Sequence, residues 1–443
     1  MDALSLIKDE APWLLSPDLG VCIVGSQALA IACREASIDG PDPSDLDLSW
    51  ALAHEEGAAL LTQHGVLAPT TTGNQERGTL ACKIGGLRVE ITSFRAGDAG
   101  APMPERIEAD LSERDMTIGA IAVEVATGRV HDPLDGLQHY RDQRIVPVGD
   151  PAQRVNEHGI RWLRYFRKAH ELGFLVDNAI RGLKRSLDPS LLLSQPKEAV
   201  ALELRAILTK TKSPGRCLLD LHEVGLLATL SPSLAQQFDG RPAGPQRWHP
   251  EVSQALHMIL ALDWAVANTQ HLVERDRTSV LFAVLCHDLG KGDSPSAGFP
   301  HHRGHEGAGV DLIEKLTARW PGLMDQRTTT LAKHVSALHL EIRRYDELRP
   351  RTRAKLYEDY FRAKDYPIEL FATAVAADSA GRLGFEQDGP IVRDRVTQDI
   401  EGLREACSEV DAGALRLQFP DDLEAFRSAL HQARTKAIRA QGR

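Results

Sequence analysis

The hydrophobic and polar positions of the chain follow two different periods, and the change falls near residue 150. Before that point, short β-type runs alternate with segments of helical spacing, and the strand-like runs are VCIVG (21–25), DLDLSW (45–50), GLRVEITSF (86–94) and AIAVEVA (120–126). The segments QALAIACREA and EEGAALLTQHG between them are typical of helices. From Gln153 onward the strand pattern disappears and helical spacing continues almost to the C-terminus. The sequence therefore predicts an α+β fold, with a mixed sheet in the head and helices beyond it.

Two stretches rich in proline and glycine interrupt the helical part. They are FDGRPAGPQRWHP at 238–250 and GDSPSAGFPHHRG at 292–304. The first separates a middle helical region from a C-terminal one, and the second is a histidine-rich loop. We predict a small head at 1–145, a helical neck and body at 146–240, an all-α domain at 241–390 and a helical tail at 391–443.

Composition and charge narrow the class of protein. The six cysteines of the 443-residue chain form no CxxC pair, which is typical of a reduced, cytoplasmic protein. We expect no signal peptide and no membrane span, because no apolar run reaches roughly 18 residues. The net charge of −10 argues against a general nucleic-acid coat. The basic stripe from Arg154 to Lys168 has two interpretations, a solvated helix face or a local surface for nucleic acid.

Asp45 and Asp47 form the first candidate site, in the run that predicts the second strand. Alternate residues of a strand face the same way, so these two carboxylates are expected on one face. Such a pair holds Mg²⁺ ions that bridge nucleotide phosphates and stabilise an attacking 3′ oxygen. The earlier turn at Gly25-Ser26 would direct backbone N–H groups of a helix N-terminus at a triphosphate. Glu90, on a later strand-like run, would complete the carboxylate set.

Three further motifs follow these residues: Glu113-Arg114-Asp115-Met116-Thr117-Ile118, Asp132-Pro133-Leu134-Asp135-Gly136 and Glu157-His158-Gly159-Ile160-Arg161. The whole series resembles the class II tRNA nucleotidyltransferases, or CCA-adding enzymes. The resemblance implies a nucleotidyltransferase-fold head in which Asp45 and Asp47 are catalytic and bind Mg²⁺. It implies CTP and ATP as substrates, added to the 3′ acceptor end of tRNA. It also places Glu157 and Arg161 on one base-selecting helix, and the implied nucleotide-binding residues are Gly25, Ser26, Arg114, Asp115, Glu157, His158, Arg161 and Arg164.

Five positions depart from that family's pattern, all where the nucleotide is held and chosen: Ser26, Leu29, Glu113, Gly119 and His158. A neutral histidine offers one donor and one acceptor on opposite sides of its ring, whereas the family's aspartate offers only acceptors. The segment between Arg95 and Asp110 is also short at the place where the family has a loop that helps the switch from C to A addition. Complete CCA addition and CC-only addition both stay open.

A second candidate site lies in the C-terminal half. The apolar run LFAVLC (281–286) ends in His287-Asp288, while His257 and Asp378 lie on earlier and later helical runs. This ordered set resembles the HD-domain metal phosphohydrolases. The resemblance implies that His257, His287, Asp288 and Asp378 hold a divalent transition metal, such as Ni²⁺ or Mn²⁺, with His287 and Asp288 catalytic. Two more histidines would suit a second metal or a substrate phosphate, namely His305 and His339.

The combination of the two sites is more specific than either alone. The runs RWHPEVSQALHMILAL, LFAVLCHDLGKG, PHHRGHEGAGVDLIEKL and ADSAGRLGFE resemble the C-terminal half of bacterial multifunctional CCA proteins. That resemblance implies a tRNA 3′-end nucleotidyltransferase with phosphatase, 2′-nucleotidase and 2′,3′-cyclic phosphodiesterase activities, acting as a monomer or homodimer. Two alternatives remain: a phosphohydrolase whose head has changed or lost base specificity, and a tRNA-binding protein with degenerate sites.

Overall fold

The computed structural model describes residues 3–43, 45–66, 69–71 and 78–441. The chain folds into two compact units, Met1–Asp188 and Pro189–Arg443. The predicted α+β class is confirmed, because every strand in the described ranges belongs to the first unit and the second is built from helices. The finer division at residues 145, 240 and 390 stays a prediction. Within the described ranges, no helix combines the length and the apolar character needed to cross a membrane.

The first unit contains nine strands among its described residues: β1 (Cys22–Val24), β2 (Leu46–Trp50), β3 (Thr70–Thr71), β4 (Thr79–Ile84), β5 (Leu87–Ser93), β6 (Ala122–Glu124), β7 (Val130–His131), β8 (Arg144–Ile145) and β9 (Leu175–Val176). Seven of them form a mixed sheet in the order β3-β4-β5-β2-β1-β6-β7. Within it β2 and β5 are parallel, and the other neighbours are antiparallel. All four strand-like runs of the sequence are therefore confirmed as strands.

One prediction about the strands is wrong. The strand pattern does not end before Gln153, since β9 pairs in parallel with β8 and ties residues 175–176 to 144–145. A strand of two residues is too short to display alternation, so its pairing is decided by the neighbouring chain rather than by a readable pattern.

The first unit contains eight α-helices among its described residues. They are α1 (Ala3–Glu10), α2 (Gly25–Glu35), α3 (His54–Gln63), α4 (Met103–Ser112), α5 (Gly136–Arg141), α6 (Pro151–Glu157), α7 (Ile160–Leu172) and α8 (Asn178–Gly182). Ile107 and Leu111 of α4 pack with Cys22 and Val24 of β1 and with Ala122 of β6 in one buried cluster. This packing fixes the end of α4, where the motif at residues 113–118 begins. The short segment after Arg95 is thus largely occupied by a helix.

The second unit consists of α9 (Lys197–Lys210), α10 (Pro214–Glu223), α11 (Leu226–Leu230), α12 (Pro232–Gln236), α13 (Gln254–Asn268), α14 (Glu274–Cys286), α15 (His305–Arg319), α16 (Gln326–Ile342), α17 (Pro350–Leu356), α18 (Ile368–Ala380), α19 (Asp388–Ser408), α20 (Ala412–Gln418) and α21 (Leu423–Gln441). Helix α14 is its centre, because every residue from Thr278 to Cys286 is buried. It packs against α13, α16 and α18, so that these four helices direct their side chains towards the C-terminal end of α14.

Candidate functional sites

The acidic cluster of the first unit forms at the start of β2. Asp47 lies on this strand, and the parallel register with β5 places Glu90 directly beside it. Asp45 precedes the strand by one residue and is exposed, so the prediction that it lies on the strand is wrong. Burial, together with the charges of Glu90 and Asp45, raises the pKa of Asp47. The excess of negative charge around a partly buried carboxylate is a feature of a cation site.

The turn before the helix α2 lies against the same carboxylate. Gly25 begins α2 with φ +67°, and a Cβ at this position would lie 3.2 Å from Oδ2 of Asp47. The left-handed backbone and the close approach both favour glycine. As predicted from the sequence, Gly25-Ser26 follows a strand and opens a helix, and the helix N-terminus begins beside the acidic cluster.

Arginines from two later elements face this cluster. The charges of Arg114 and Arg164 act on Asp47 in the direction opposite to its acidic neighbours. Arg164 of α7 also forms a 2.7 Å ion pair with Asp115, while Arg114 donates to Asp110 at 3.0 Å. Burial would raise the pKa of Asp115, but the charges of nearby arginines, Arg164 first, hold it below its usual range. The residues predicted at Asp47, Arg114, Asp115 and Arg164 therefore lie together.

Glu157 and Arg161 do not lie on one helix, so that prediction is wrong. Glu157 ends α6, and Arg161 is in the first turn of α7, with His158 extended between them. The pair still meets: Nη1 of Arg161 lies 2.5 Å from Oε2 of Glu157. The same guanidinium donates to the carbonyl oxygens of Arg154 (3.1 Å) and Glu113 (3.2 Å). Three acceptors thus fix the orientation of Arg161.

Glu113 stands where the resembling family has an arginine, and Arg154 compensates its charge. Nη1 of Arg154 lies 2.8 Å from Glu113 and 3.0 Å from Glu157, and the arginine is buried. Side-chain hydrogen bonding to Glu113 raises the pKa of Arg154. Farther along α7, Arg167 and Lys168 both contact Glu171. The basic stripe is therefore largely neutralised by ion pairs, which neither of its two sequence interpretations included.

The histidine–aspartate cluster of the second unit is buried at the end of α14. Nε2 of His257, on α13, lies 3.3 Å from Nε2 of His287 and 3.3 Å from Oδ1 of Asp378, on α18. Asp288 directs Oδ2 to the same place, 3.1 Å from Nε2 of His287. The structure therefore brings together all four residues predicted from the ordered set. We call His257, His287 and Asp378 the first ligand set.

The two remaining histidines converge on the other oxygen of Asp288. Its Oδ1 lies 3.3 Å from Nε2 of His305, at the start of α15, and 3.6 Å from Nε2 of His339, on α16. We call Asp288, His305 and His339 the second ligand set. Oδ1 of Asp288 and Nε2 of His305 are both buried and, although they lie 3.3 Å apart, neither makes a hydrogen bond of acceptable geometry within the described part of the chain. Buried polar atoms are rarely left unpaired, so these two atoms fit metal ligands.

The four histidines share one hydrogen-bonding arrangement. Each places Nδ1 near a backbone carbonyl oxygen: His257 near Gly381 (3.1 Å), His287 near Val284 (2.6 Å), His305 near His302 (2.6 Å) and His339 near Val335 (3.1 Å). A carbonyl oxygen only accepts, so Nδ1 carries a proton, and Nε2 is the nitrogen that faces the cluster. This is how histidines are oriented for metal binding through Nε2.

Both aspartates of the cluster are ionised. Burial would raise the pKa of Asp288, but His287 and Lys291 hold it well below its usual range. For Asp378 the charge of Arg343 does the same, through a 2.8 Å hydrogen bond to Oδ2. Lys291 is buried and also donates to the carbonyl oxygen of Ala243 at 2.7 Å, so it serves the interior of the site. Arg343 is the more accessible cation, with about a fifth of its side chain exposed (21%).

A glycine allows the two ligand sets to approach each other. Gly290 follows Asp288 closely, and a Cβ there would lie 2.0 Å from the carbonyl oxygen of His305. In α15, a Cβ on Gly309 would lie 2.2 Å from Oγ of Ser336 on α16. The close packing of these segments therefore needs glycine at both positions, and it sets the distance from His305 and His339 to Asp288.

The two sites differ in how closely their ligand atoms converge. Three sets of histidine and carboxylate atoms lie within 4.8 Å of one another in the described ranges, and all three belong to the second unit. Two are the ligand sets above, and the third is His249, Glu251 and His257. Asp45, Asp47 and Glu90 do not form such a set. Sequence reasoning missed Glu251, His249 and Arg343, and it named Arg154 only as part of the basic stripe. Among the missed residues, Glu251 offered a signal, because this acidic residue lies close to His257 in RWHPEVSQALH (247–257).

Comparison with known proteins finds a matching family model for much of the sheet-containing part of the chain. Residues 34–146 match the model of the poly A polymerase head domain. The predicted resemblance is also confirmed by a relative, the multifunctional CCA protein of Pasteurella multocida (strain Pm70), which is 36% identical over 287 residues. The alignment spans 63% of this chain and 66% of the relative, which is slightly less than two thirds of its length.

Solved structures support the fold around the head domain. The Bacillus stearothermophilus CCA-adding enzyme in complex with CTP has a TM-score of 0.67 at 18% identity, covering 99% of this chain and 93% of that one. The Thermotoga maritima CCA-adding enzyme complexed with tRNA has a TM-score of 0.58 at 14% identity, covering 99% and 94%. At these identities the likeness establishes the fold, which the α+β prediction anticipated.

Proposed function

We propose that the chain is a tRNA 3′-end nucleotidyltransferase with a second, metal-dependent phosphohydrolase centre. The observation that supports transfer most directly is the position of Asp47 in the head domain, in register with Glu90 and facing Arg114 and Arg164. The named relatives support the same function, since they include a multifunctional CCA protein and CCA-adding enzymes with CTP or tRNA. The substrates proposed for this chain are accordingly CTP, ATP and the acceptor end of tRNA.

In the proposed transfer site, Asp45 and Asp47 hold Mg²⁺, with Glu90 beside them. Mg²⁺ neutralises phosphate charge and makes the 3′ oxygen a better nucleophile. The backbone N–H groups at the start of α2 bind the triphosphate, because Gly25 leaves the space beside Asp47 free of a side chain. Arg114 and Arg164 add positive charge on the side of the later motifs.

Arg161 is the residue we propose to face the incoming base. Its guanidinium is held by Glu157 and by the carbonyl oxygens of Arg154 and Glu113, which limits the directions in which its remaining N–H groups can point. His158 follows Glu157 directly and takes the place of the family's aspartate. Altered base choice, including CC-only addition, is therefore part of the proposal.

The products on tRNA that ends at the discriminator base test the transfer proposal. The protein is incubated with CTP alone, ATP alone and both, and the extended products are separated by length. We expect addition of two C residues with CTP, and a terminal A only if base choice is complete. Incorporation that survives the double variant Asp45→Ala/Asp47→Ala would refute the assigned site.

The phosphohydrolase centre is proposed from the two ligand sets joined by Asp288. Nitrogen and oxygen ligands of this kind suit a divalent transition metal such as Mn²⁺ or Ni²⁺, which activates water and polarises a phosphate ester. His257, His287 and Asp378 would hold one ion and His305 and His339 a second, and Asp288 lies between the two sets. Arg343, partly exposed beside Asp378, is placed to bind a phosphate oxygen.

The proposed substrates of this centre are 2′- and 3′-phosphates and 2′,3′-cyclic phosphates at RNA ends. Their removal would restore the 3′ hydroxyl that the transfer reaction needs. Hydrolysis of a 2′,3′-cyclic nucleotide by wild type, His287→Ala and Asp47→Asn tests the assignment. We expect loss in His287→Ala and retention in Asp47→Asn, and equal rates in wild type and His287→Ala would refute it.

A second candidate function is a phosphohydrolase whose head has lost or changed base specificity. The presence of Glu113 and His158 at positions where the family has arginine and aspartate favours it. Hydrolysis without incorporation of any single nucleotide would support this candidate over the first.

A further inference from the structure

Glu251 links the first ligand set to two other parts of the second unit. Its side chain is fully buried, and Oε1 lies 2.8 Å from Nδ1 of His249 and 3.2 Å from Nδ1 of His257. Oε2 accepts the backbone N–H of Leu383 at 3.3 Å. Both oxygens are therefore engaged, and one of them contacts the nitrogen of His257 that faces away from the cluster.

We propose that Glu251 is a positioning residue of the phosphohydrolase centre, which orients His257 and anchors the chain that follows Asp378. The inference rests on the proposed metal-dependent function. Glu251 touches neither the ligand atoms of the second set nor Nε2 of His257, so it acts through the ligands and not on the substrate.

The orientation of His257 depends on acceptors beside Nδ1. The carbonyl oxygen of Gly381 accepts this N–H at 3.1 Å, and the negative Oε1 of Glu251 lies 3.2 Å from the same nitrogen. Together they hold the ring with Nε2 towards His287 and Asp378. A carboxylate behind a metal-binding histidine also makes the imidazole a stronger ligand, and removal of such a partner weakens metal affinity by roughly 10–100-fold.

The second contact of Glu251 reaches the helix that supplies Asp378. Helix α18 ends at Ala380, and Leu383, only three residues later, donates to Oε2. One carboxylate therefore joins the segment before α13, which bears His257, to the end of α18. This connection ties together α13 and α18, two helices that are distant in the sequence and contribute His257 and Asp378.

His249 supports Glu251 from the outer side. Its ring stands edge-on to that of His257, with centroids 5.2 Å apart. The backbone at Gly244 packs against it, since a Cβ there would lie 2.5 Å from Cδ2 of His249. Oε1 of Glu251 is thus held between Nδ1 of His249 and Nδ1 of His257.

Metal binding by the full-length protein tests the proposal. Calorimetric titration with Mn²⁺ is compared for wild type, Glu251→Gln and the control Glu314→Gln, which changes a carboxylate of α15 that pairs with Lys333. Glu251→Gln keeps the shape and an acceptor oxygen but removes the charge. We expect its first-set affinity to fall by roughly 10–100-fold, with the second-set affinity and the control unchanged.

Four results would overturn the inference. Unchanged Mn²⁺ affinity in a folded Glu251→Gln, or an equal loss at both sets, would refute the positioning role and leave the proposed function intact. If wild type bound no Mn²⁺ or Ni²⁺, the phosphohydrolase proposal itself would fail. If Glu251→Gln unfolds, Glu251→Asp is the second variant, because it keeps the charge but shortens the side chain by one methylene. Weaker binding of Mn²⁺ at the first ligand set is again expected, and unchanged binding contradicts the positioning role.

Discussion

Gly290→Ala is the substitution that most directly tests the joined ligand sets. The added Cβ would lie 2.0 Å from the carbonyl oxygen of His305 and 2.8 Å from the backbone N of Gly309. A relaxed carbon–oxygen contact is roughly 3.3 Å or longer, so the start of α15 would have to move by on the order of 1 Å. Overpacking of this kind costs about 1–3 kcal/mol of folding free energy.

The displacement matters because the distance between a metal and its ligand atom can vary by only about 0.2 Å. Nε2 of His305 lies 3.3 Å from Oδ1 of Asp288, and a shift of α15 carries His305 away from it. We therefore expect Gly290→Ala to lose the second metal and most hydrolysis of a cyclic phosphate. Nucleotide transfer should be retained, since the acidic cluster around Asp47 belongs to the first unit.

Metal content per chain, measured after equilibrium dialysis, and the hydrolysis rate form the assay. Gly307→Ala is a matched control, because it lies on the same helix and a Cβ there meets nothing within 4 Å. This control should keep both metals and be as stable as wild type or slightly more so, since alanine favours helix. If Gly290→Ala kept wild-type metal content, hydrolysis and thermal stability, the close approach of α15 would have no role in the site.

Three further predictions concern other parts of the molecule. Arg343→Lys should raise KM for a phosphate ester about tenfold, worth about 1.4 kcal/mol of binding, with metal content unchanged. The reason is that a lysine cannot pair with Asp378 and a phosphate through one planar group. Steady-state kinetics measure the KM, and an unchanged KM contradicts the phosphate role. Arg154→Met should cost about 1–2 kcal/mol of stability and alter the ratio of C to A incorporation, since it removes the ion pair of Glu113 and leaves Glu157 with Arg161 alone. Denaturant melts and product ladders measure both, and a wild-type ratio counts against base selection through Arg161. Burial and Asp346 raise the pKa of Asp399 to about 6, so the native state loses stability as pH rises through that value. Asp399→Asn should therefore have a higher Tm than wild type above a pH of about 6, but not near a pH of about 4. A difference in Tm between the two proteins that stays constant across this pH range would contradict the raised pKa.

The functional residues that could be predicted from the sequence alone are those in short, ordered motifs. Asp47 and the Gly25-Ser26 turn were predictable because strand alternation and a strand-to-helix turn are local features. His287-Asp288 could be placed at the end of a core helix, because the apolar run LFAVLC (281–286) precedes it, and the structure buries that run in α14. The α+β class followed from the change of hydrophobic period near residue 150.

Which of these residues become neighbours in space depends on the tertiary structure. The register of β2 with β5 selects Glu90 as the neighbour of Asp47, and helix packing turns the two oxygens of Asp288 to different ligand sets. The charge exchange between Glu113 and Arg154 and the contact of Glu251 with Leu383 connect residues far apart in the chain. Hydrophobic period determines which face of an element is buried, but not which distant element packs on it. The partners of buried charges are set by that packing and must be read from the folded chain.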